Sequence, residues 1–143
     1  MAKATVLLVD DEVEFSAVLA DRMRQRDLDV DTAENGEIAL ERVKERRYDA
    51  VILDLAMPGI DGIETLKLML EDNPNLQIIL LTGRATVEKG VEAVKLGAVE
   101  FLEKPAKIDM LLEKIETARN KSFELSEDHF ENMISDIMKR KGW

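Results

Sequence analysis

The chain has 143 residues, no cysteine and a formal net charge of −10, so disulfides and thiolate metal sites are excluded. Its 45% hydrophobic and 35% charged residues are the balance of one folded domain, and the acidic charge argues against nucleic acid as a partner, because phosphate backbones require a basic face. No apolar run is long enough for a membrane span or a signal peptide, which predicts a cytoplasmic protein without membrane contacts.

Short apolar runs alternate with helical patterns along most of the chain. These runs are aliphatic and β-branched with little polar alternation, as expected of strands that are buried on both faces of a parallel sheet. The predicted strands are Thr5–Val9, the weaker Asp29–Ala33, Ala50–Leu53, Gln77–Leu81 and Val99–Leu102.

Five helices are predicted between and after these strands. They run from Val13 to about Arg26, from Asn35-Gly36, from after Gly62, from after Thr86 to Gly97, and from after Pro105. Gly90, inside the fourth helix, marks either a soft helix or a close packing contact. Strand–helix alternation of this kind predicts a doubly wound α/β domain, with a five-stranded parallel sheet and helices on both faces.

Polar residues end four of the predicted strands. Asp10 and Asp11 follow the first strand, Asp54 the third, Thr82 the fourth and Lys104 the fifth. Because the carboxyl ends of parallel strands meet at one edge of a sheet, we expect these side chains to share one shallow pocket. Taken alone, Asp10-Asp11 would more often be a turn or the cap of the next helix, and Asp54 could be a turn residue; together with Thr82 and Lys104 they favour a site.

The charges of this pocket are unbalanced, since three carboxylates face one ammonium. The acids should therefore raise one another's pKa values or bind a cation. A set of oxygen ligands suits Mg²⁺, which proteins hold with one or two carboxylates together with a phosphate. A lysine, a hydroxyl donor and a carboxylate nucleophile beside such a metal indicate phosphoryl transfer.

Four fragments, "LLVDDE", "VILDLAMPGIDGIE", "LLTG" and "GAVEFLEKP", follow one another along the chain. Together they resemble the receiver domain of two-component response regulators, over most of the chain. The resemblance implies a flavodoxin-like receiver fold and phosphorylation of Asp54 by a sensor histidine kinase. It also implies a downstream protein target, whose identity the sequence does not give, on a surface that phosphorylation switches.

The resemblance assigns the metal ligands residue by residue. Asp11, Asp54 and the backbone carbonyl of Ala56 would bind Mg²⁺ directly, and Asp10 would act through a water molecule. In this interpretation the negative charge that ends the first strand is a metal site, and the bound cation relieves its repulsion.

The resemblance also assigns a switch. Lys104 would pair with the phosphoryl group, and the Lys104–Pro105 peptide would be cis. Thr82 would move toward the phosphoryl group, and the ring of Phe101 would turn inward into the released space. On residue type alone, Phe101 is as readily a core residue.

The receiver domain is predicted to cover residues 1–121, and residues 122–143 to form a separate amphipathic helical tail. Ser126 is the predicted N-cap of this helix. Its apolar stripe comprises Phe130, Met133, Ile134, Ile137 and Met138. The stripe would pack on its own receiver, on a second copy in a homodimer through the tail or the output face, or on a partner.

Two other functions stay open. An aspartyl-nucleophile phosphatase of the haloacid dehalogenase type also uses a strand-end Asp and Mg²⁺, although "DDEVE" does not match its D-x-D-x-T/V pattern. The second open function is a receiver-like interaction module that is never phosphorylated. The intact Asp54, Thr82 and Lys104 argue against it. The favoured hypothesis is a phosphoacceptor signalling domain, not an enzyme, with weak self-catalysed phosphoryl transfer and hydrolysis.

Overall fold

A computed structural model of the chain describes residues 3–55, 62–83 and 87–140. The strands are β1 Thr5–Val9, β2 Asp29–Ala33, β3 Ala50–Leu53, β4 Ile78–Thr82 and β5 Glu100–Glu103. The helices are α1 Val13–Gln25, α2 Gly36–Glu45, α3 Gly62–Asp72, α4 Val87–Leu96 and α5 Ile108–Arg140. The predicted order of elements is confirmed, with β4 and β5 each placed one residue later than predicted. No helix in the described ranges combines the length and the apolar character that a membrane span requires.

The five strands form one parallel sheet in the order β2-β1-β3-β4-β5. Alternate residues of each strand face opposite sides, so Leu7 and Val9 pack with α2, α3 and α4, whereas Val6 and Leu8 pack with α1 and α5. The three central strands β1, β3 and β4 are buried on both faces, except for half-buried Thr5, which explains why they read as continuous apolar runs, whereas the edge strands β2 and β5 are partly exposed. The predicted doubly wound α/β fold is confirmed.

The strand order reverses direction at β1. The chain passes from β1 outward to β2 and then returns to β3 on the other side of β1. A crevice forms beyond the carboxyl ends of the strands at such a reversal, and ligands of open α/β sheets bind there. In this chain the crevice lies between the ends of β1 and β3, where Asp10 and Asp54 follow.

The C-terminal segment differs from its prediction. Residues 122–140 do not form a separate helix, because α5 continues without a break through the expected N-cap at Ser126. No Gly or Pro lies between Lys107 and Arg140, and a helix interior tolerates a Ser at small cost. α5 is therefore one helix of 33 residues, whose first half buries Leu111, Ile115 and Ala118 against the sheet.

Candidate functional site

Asp10 and Asp54 lie side by side at the carboxyl edge of the sheet. β1 and β3 pair so that Val9 lies beside Leu53, and the residues that follow them are therefore neighbours. The backbone N–H of Asp54 donates to the carbonyl of Val9 at 2.9 Å, which continues the ladder past the strand ends. Both carboxylates are buried, with only 2% and 3% of each residue exposed. Acids this deeply buried need a charged or hydrogen-bonding partner.

Lys104 supplies that partner. Its ammonium Nζ lies 2.7 Å from Oδ2 of Asp10, 3.3 Å from Oδ2 of Asp54 and 3.2 Å from Oε1 of Glu12. The lysine side chain is only 13% exposed, so these ion pairs are shielded from solvent on the side of the two aspartates. One cation thus bridges the ends of β1 and β3, as the strand-end pattern predicts.

The backbone around Lys104 holds it in place. Its N–H donates to the carbonyl of Thr82 at 2.9 Å, so the ladder between β4 and β5 continues one residue past β5. The Lys104–Pro105 peptide is cis, which confirms the prediction.

Burial and charge shift the pKa values of the central pair. Burial raises the pKa of Asp10 above its ordinary value of 3.8; the hydrogen bond from Lys104 opposes this rise, and the negative charge of Asp54 adds to it. The prediction that the acids raise one another's pKa is therefore correct in direction for Asp10, although burial contributes most. Burial lowers the pKa of Lys104, but the hydrogen bond and charge of Asp10 and the charge of Asp54 outweigh it, so the net shift is upward and the side chain stays an ammonium.

Thr82 contacts the opposite oxygen of Asp54. Its hydroxyl Oγ1 donates to Oδ1 of Asp54 at 2.9 Å, and the whole of Thr82 is buried. The two carboxylate oxygens of Asp54 thus face different groups, Oδ1 the hydroxyl and Oδ2 the ammonium of Lys104. Phe101, the predicted switch aromatic, is half-buried on the α4 side of the sheet, where it packs against the core.

The structure adds a third acid to the site. Carboxylate oxygens of Asp10, Glu12 and Asp54 all lie within 4.8 Å of one another. Asp11 is half-exposed and is not part of this group of described residues, and Ala56 lies outside the described residues, so their roles as metal ligands stay predictions. The signal for Glu12 was present in the sequence as the third acid of "DDE".

The position of Glu12 follows from the turn after β1. Its backbone N–H donates to Oδ1 of Asp10 at 2.9 Å. Asp10 therefore also stabilises the turn with its side chain, as Asp residues commonly do. Glu12 is the N-cap of α1, yet its side chain makes no capping hydrogen bond. The side chain extends instead to Lys104, and 62% of it is exposed.

Gly62 is a structural requirement that the sequence did not reveal. A Cβ on this residue would lie 2.7 Å from the carbonyl oxygen of Asp54 and 2.9 Å from the carbonyl carbon of Leu55. Its N–H donates to the carbonyl of Leu55 at 3.1 Å. The start of α3 is thus packed directly on the backbone that carries Asp54, and any side chain at this position would push the two apart.

Comparison with known proteins places this geometry in a family. The family model of the response regulator receiver domain matches residues 6–116. The chain belongs to this family. It is a receiver domain of two-component response regulators, and this membership decides against the phosphatase alternative. Receiver domains act with histidine kinases and typically bind Mg²⁺, and the acid cluster around Lys104 has the oxygen ligands to bind a metal.

Individual relatives agree with this membership. The transcriptional regulatory protein ZraR of Salmonella typhimurium is 39% identical over 116 residues, which are 81% of this chain and 26% of that protein. A response regulator receiver domain protein from Clostridium thermocellum has a TM-score of 0.82 at 29% identity and covers 85% of this chain and 98% of its own. NtrX from Brucella abortus has a TM-score of 0.78 at 30% identity, over 97% of this chain and 30% of that one. The chain spans about a quarter of the length of the curated relatives it matches.

Proposed function

We propose that Asp54 accepts a phosphoryl group from the phosphohistidine of a sensor kinase and that this reaction switches a protein-binding surface. The observation that carries the proposal is the contrast between the two oxygens of Asp54. Oδ1 accepts from the hydroxyl of Thr82 at 2.9 Å, whereas Oδ2 lies 3.3 Å from the ammonium of Lys104. A carboxylate between a hydroxyl and a buried ammonium has both donors that a transferred phosphoryl group requires.

In the proposed reaction an oxygen of Asp54 attacks phosphorus and forms an acyl phosphate, while the P–N bond of the phosphohistidine breaks and its electron pair returns to the imidazole. Lys104 then pairs with a phosphoryl oxygen, because its ammonium is already within reach of Asp54. The hydroxyl of Thr82 turns from the carboxylate to donate to another phosphoryl oxygen, and its movement releases space for the ring of Phe101.

As the resemblance implies, Asp54, Asp11 and the Ala56 carbonyl would hold Mg²⁺ directly and Asp10 would act through a water molecule. The geometry favours Asp10, Glu12 and Asp54 as the carboxylates around the ion. The fit rests on the donor set, since three carboxylates offer the oxygen ligands that this ion prefers and carry more charge than one lysine neutralises. The bound ion supplies positive charge against the phosphoryl oxygens during transfer. The same site would support the weak self-catalysed transfer and hydrolysis of this proposal.

The proposal extends to partners and boundaries. The surface formed by α4, β5 and α5 is the proposed binding face for a downstream protein, and exposed Val91, Val94 and Met110 lie on those helices.

The receiver unit would end near Lys121, and the chain would meet its kinase in the cytoplasm. The absence of nucleic acid as a partner stays a prediction for this acidic chain, since ZraR is a transcriptional regulatory protein of which only a quarter is matched.

The test is phosphorylation with a small acyl phosphate and Mg²⁺, followed by intact-mass and peptide mass spectrometry. We expect one labile, hydroxylamine-sensitive phosphoryl group on the peptide that contains Asp54. Asp54→Asn should remove it, and Asp109→Asn, a change at an acid whose side chain is 82% exposed, should not. Equal modification of Asp54→Asn, or none of the wild type, would establish a receiver-like module that is not phosphorylated at this residue.

A further inference from the structure

The ring of Phe15 lies against the ammonium group of Lys104. The Nζ atom is 4.4 Å from the centre of the ring, which is within the range of a cation–π contact. Phe15 is the third residue of α1, and its half-buried side chain packs against the core on the side of the sheet that faces α1 and α5. The core therefore holds the ring beside the cation that Asp10 and Asp54 share.

The start of α1 accounts for this placement. Glu12 is the N-cap of the helix, and Phe15 follows three residues later, a spacing that puts two side chains on the same side of a helix. Both side chains reach Lys104, with Oε1 of Glu12 at 3.2 Å from Nζ and the ring centre at 4.4 Å. The first turn of α1 thus presents an acid and an aromatic ring to the lysine that follows β5.

The neighbours of the ammonium are of two kinds. An ammonium has three N–H donors, and Asp10, Glu12 and Asp54 each place a carboxylate oxygen within 3.3 Å of Nζ. The ring is an apolar neighbour that shields the cation from water, and only 13% of the lysine side chain is exposed. Loss of the ring would admit water beside Nζ and weaken the attraction between the ammonium and the buried carboxylates, because water screens charges.

Phe15 also lies beside the strand ends that supply the two donors to Asp54. A small groove of about 110 Å³ runs along this side of the molecule, and its lining includes Phe15, Leu81, Pro105 and Ala106. Leu81 directly precedes Thr82, and Pro105 directly follows Lys104. A change at Phe15 therefore acts at the backbone segments that carry the hydroxyl and the ammonium.

We propose that Phe15 is a positioning residue, whose ring holds the ammonium of Lys104 against Asp10 and Asp54. Donors aid phosphoryl transfer most when they are in place before the reaction begins. A lysine that is free to turn toward solvent with the exposed Glu12 would meet the phosphoryl group less often. The effect on the reaction rate rests on the proposed phosphorylation of Asp54, whereas the contact and its effect on Mg²⁺ binding do not.

The first test is calorimetric titration of the unphosphorylated chain with Mg²⁺. Lys104 competes with Mg²⁺ for the carboxylates, so loss of the ring contact should make the lysine easier to displace. Phe15→Leu, which keeps an apolar side chain without the ring, should bind Mg²⁺ about two- to fivefold more tightly. A ring that served only as packing would have the opposite effect, since a loosened site binds Mg²⁺ less tightly. In a Lys104→Ala background, Phe15→Leu should leave the affinity for Mg²⁺ unchanged.

The second test is the rate of phosphorylation by a small acyl phosphate at saturating Mg²⁺. Phe15→Leu should react about fivefold more slowly than the wild type. Phe15→Tyr keeps the face of the ring and should match the wild type in both rate and Mg²⁺ affinity. Leu19→Val is the matched control, because Leu19 lies one turn farther along α1 and lines the same groove, and its shortening leaves the ring in place.

NMR gives a direct readout of the contact. The ring face should shift the Hε protons of Lys104 upfield, and Phe15→Leu should abolish the shift; the signal is assigned by its absence from Lys104→Ala. An unshifted signal in the wild type, weaker Mg²⁺ binding or an unchanged rate in Phe15→Leu, or a Phe15→Tyr protein that behaves like Phe15→Leu would overturn the proposal. A wild type that is not phosphorylated would overturn the proposed function alone, because the NMR and Mg²⁺ measurements still decide the role of Phe15.

Discussion

Gly90 of α4 lies directly against the ring of Phe101 in β5, so closely that a Cβ on Gly90 would overlap ring carbons Cδ2 and Cε2. The sequence left two explanations for a glycine inside this helix, and the structure supports the close packing contact. Since Phe101 is the proposed switch aromatic, the contact joins the ring to α4. A movement of the ring must therefore be accompanied by a change in its packing against this helix.

This contact predicts the effect of Gly90→Ala. Alanine favours a helix by about 1 kcal/mol over glycine, yet overpacking costs about 1–3 kcal/mol, so we expect a lower free energy of unfolding. Urea denaturation measures it. Gly83→Ala is the control, because a Cβ there meets no atom within 4 Å. A Gly90→Ala protein as stable as the wild type would show that the ring of Phe101 moves aside without lowering the free energy of unfolding.

A larger effect is expected at Gly62. Its added Cβ would meet backbone atoms of Asp54 and Leu55, which cannot rotate away as a ring can. Gly62→Ala should lower the free energy of unfolding by about 3 kcal/mol and slow phosphorylation from a small acyl phosphate. Denaturation and mass spectrometry on one sample measure both. Loss of stability with an unchanged phosphorylation rate would mean that α3 shifts and the strand end does not.

Lys104 is the ion-pair partner of Asp10 and Asp54 and also a cation that competes with Mg²⁺ for them. Lys104→Ala separates these two roles. Removing it leaves buried Asp10 and Asp54 without their shared ammonium, which should cost about 3 kcal/mol of stability in the absence of Mg²⁺. Mg²⁺ should bind more tightly to the variant and recover part of this loss, because a competing cation is gone. Calorimetry and thermal unfolding with and without Mg²⁺ measure this. Lys114→Ala, which breaks a partly exposed pair with Glu100, should cost less than about 1 kcal/mol.

Glu12→Gln tests whether Glu12, the third acid of the cluster, contributes to Mg²⁺ binding. Its side chain is 62% exposed, so little stability should be lost, but removing one negative charge near the site should weaken Mg²⁺ binding about fivefold. Titration of Mg²⁺ against Glu12→Gln and Asp11→Asn compares the acid that the geometry favours with the acid that the resemblance implies. Unchanged affinity in Glu12→Gln would leave Asp11 as the ligand.

A pH dependence is expected far from this site, at Asp31. Burial raises the pKa of Asp31, but hydrogen bonds from the hydroxyl of Tyr48 at 2.7 Å and from Arg46 at 2.9 Å outweigh it, so the pKa lies below its ordinary 3.8. A lowered pKa means that the carboxylate stabilises the fold above about pH 3.8, and that this contribution is lost as the pH falls through the folded-state value.

Asp31→Asn should therefore cost about 1 kcal/mol near neutral pH and less near pH 2.5, after allowance for the partial exposure of the pair. Urea denaturation at the two pH values measures the difference. Asp21→Asn, at a side chain that is 73% exposed, is the matched control. A cost for Asp31→Asn that does not change with pH would assign its effect to packing alone.

The sequence predicted the sheet and most of the site because both depend on repeated local signals. Strands buried on both faces appear as aliphatic runs, and a polar residue at the end of each run must lie at the shared carboxyl edge. Asp10, Asp54, Thr82 and Lys104 come together for this reason. The cis peptide before Pro105 followed from the family resemblance.

The features that the sequence did not predict depend on contacts between residues that are distant in the chain. Gly62 and Gly90 each accommodate a segment that is distant in the sequence, and no local pattern distinguishes this from an ordinary helix glycine. The acids after Ser126 resemble the first turn of a new helix, but a capping signal does not end a helix that no Gly or Pro interrupts. The exposed stripe of α5 was found by its spacing, and only the structure shows that it projects away from the receiver.

The unbroken α5 also has a mechanical consequence. Its first half packs between the sheet and α1, and beyond half-buried Leu125 the helix continues for about 22 Å at 1.5 Å per residue. A helix of that length acts as a lever that pivots near Leu125, where it leaves the rest of the domain. A tilt of about 10° at this pivot displaces the far end by roughly 4 Å, which is most of the pitch of one helical turn. Small changes in how Leu111 and Ile115 pack on the sheet would therefore produce larger displacements at the far end of α5, where another molecule can bind.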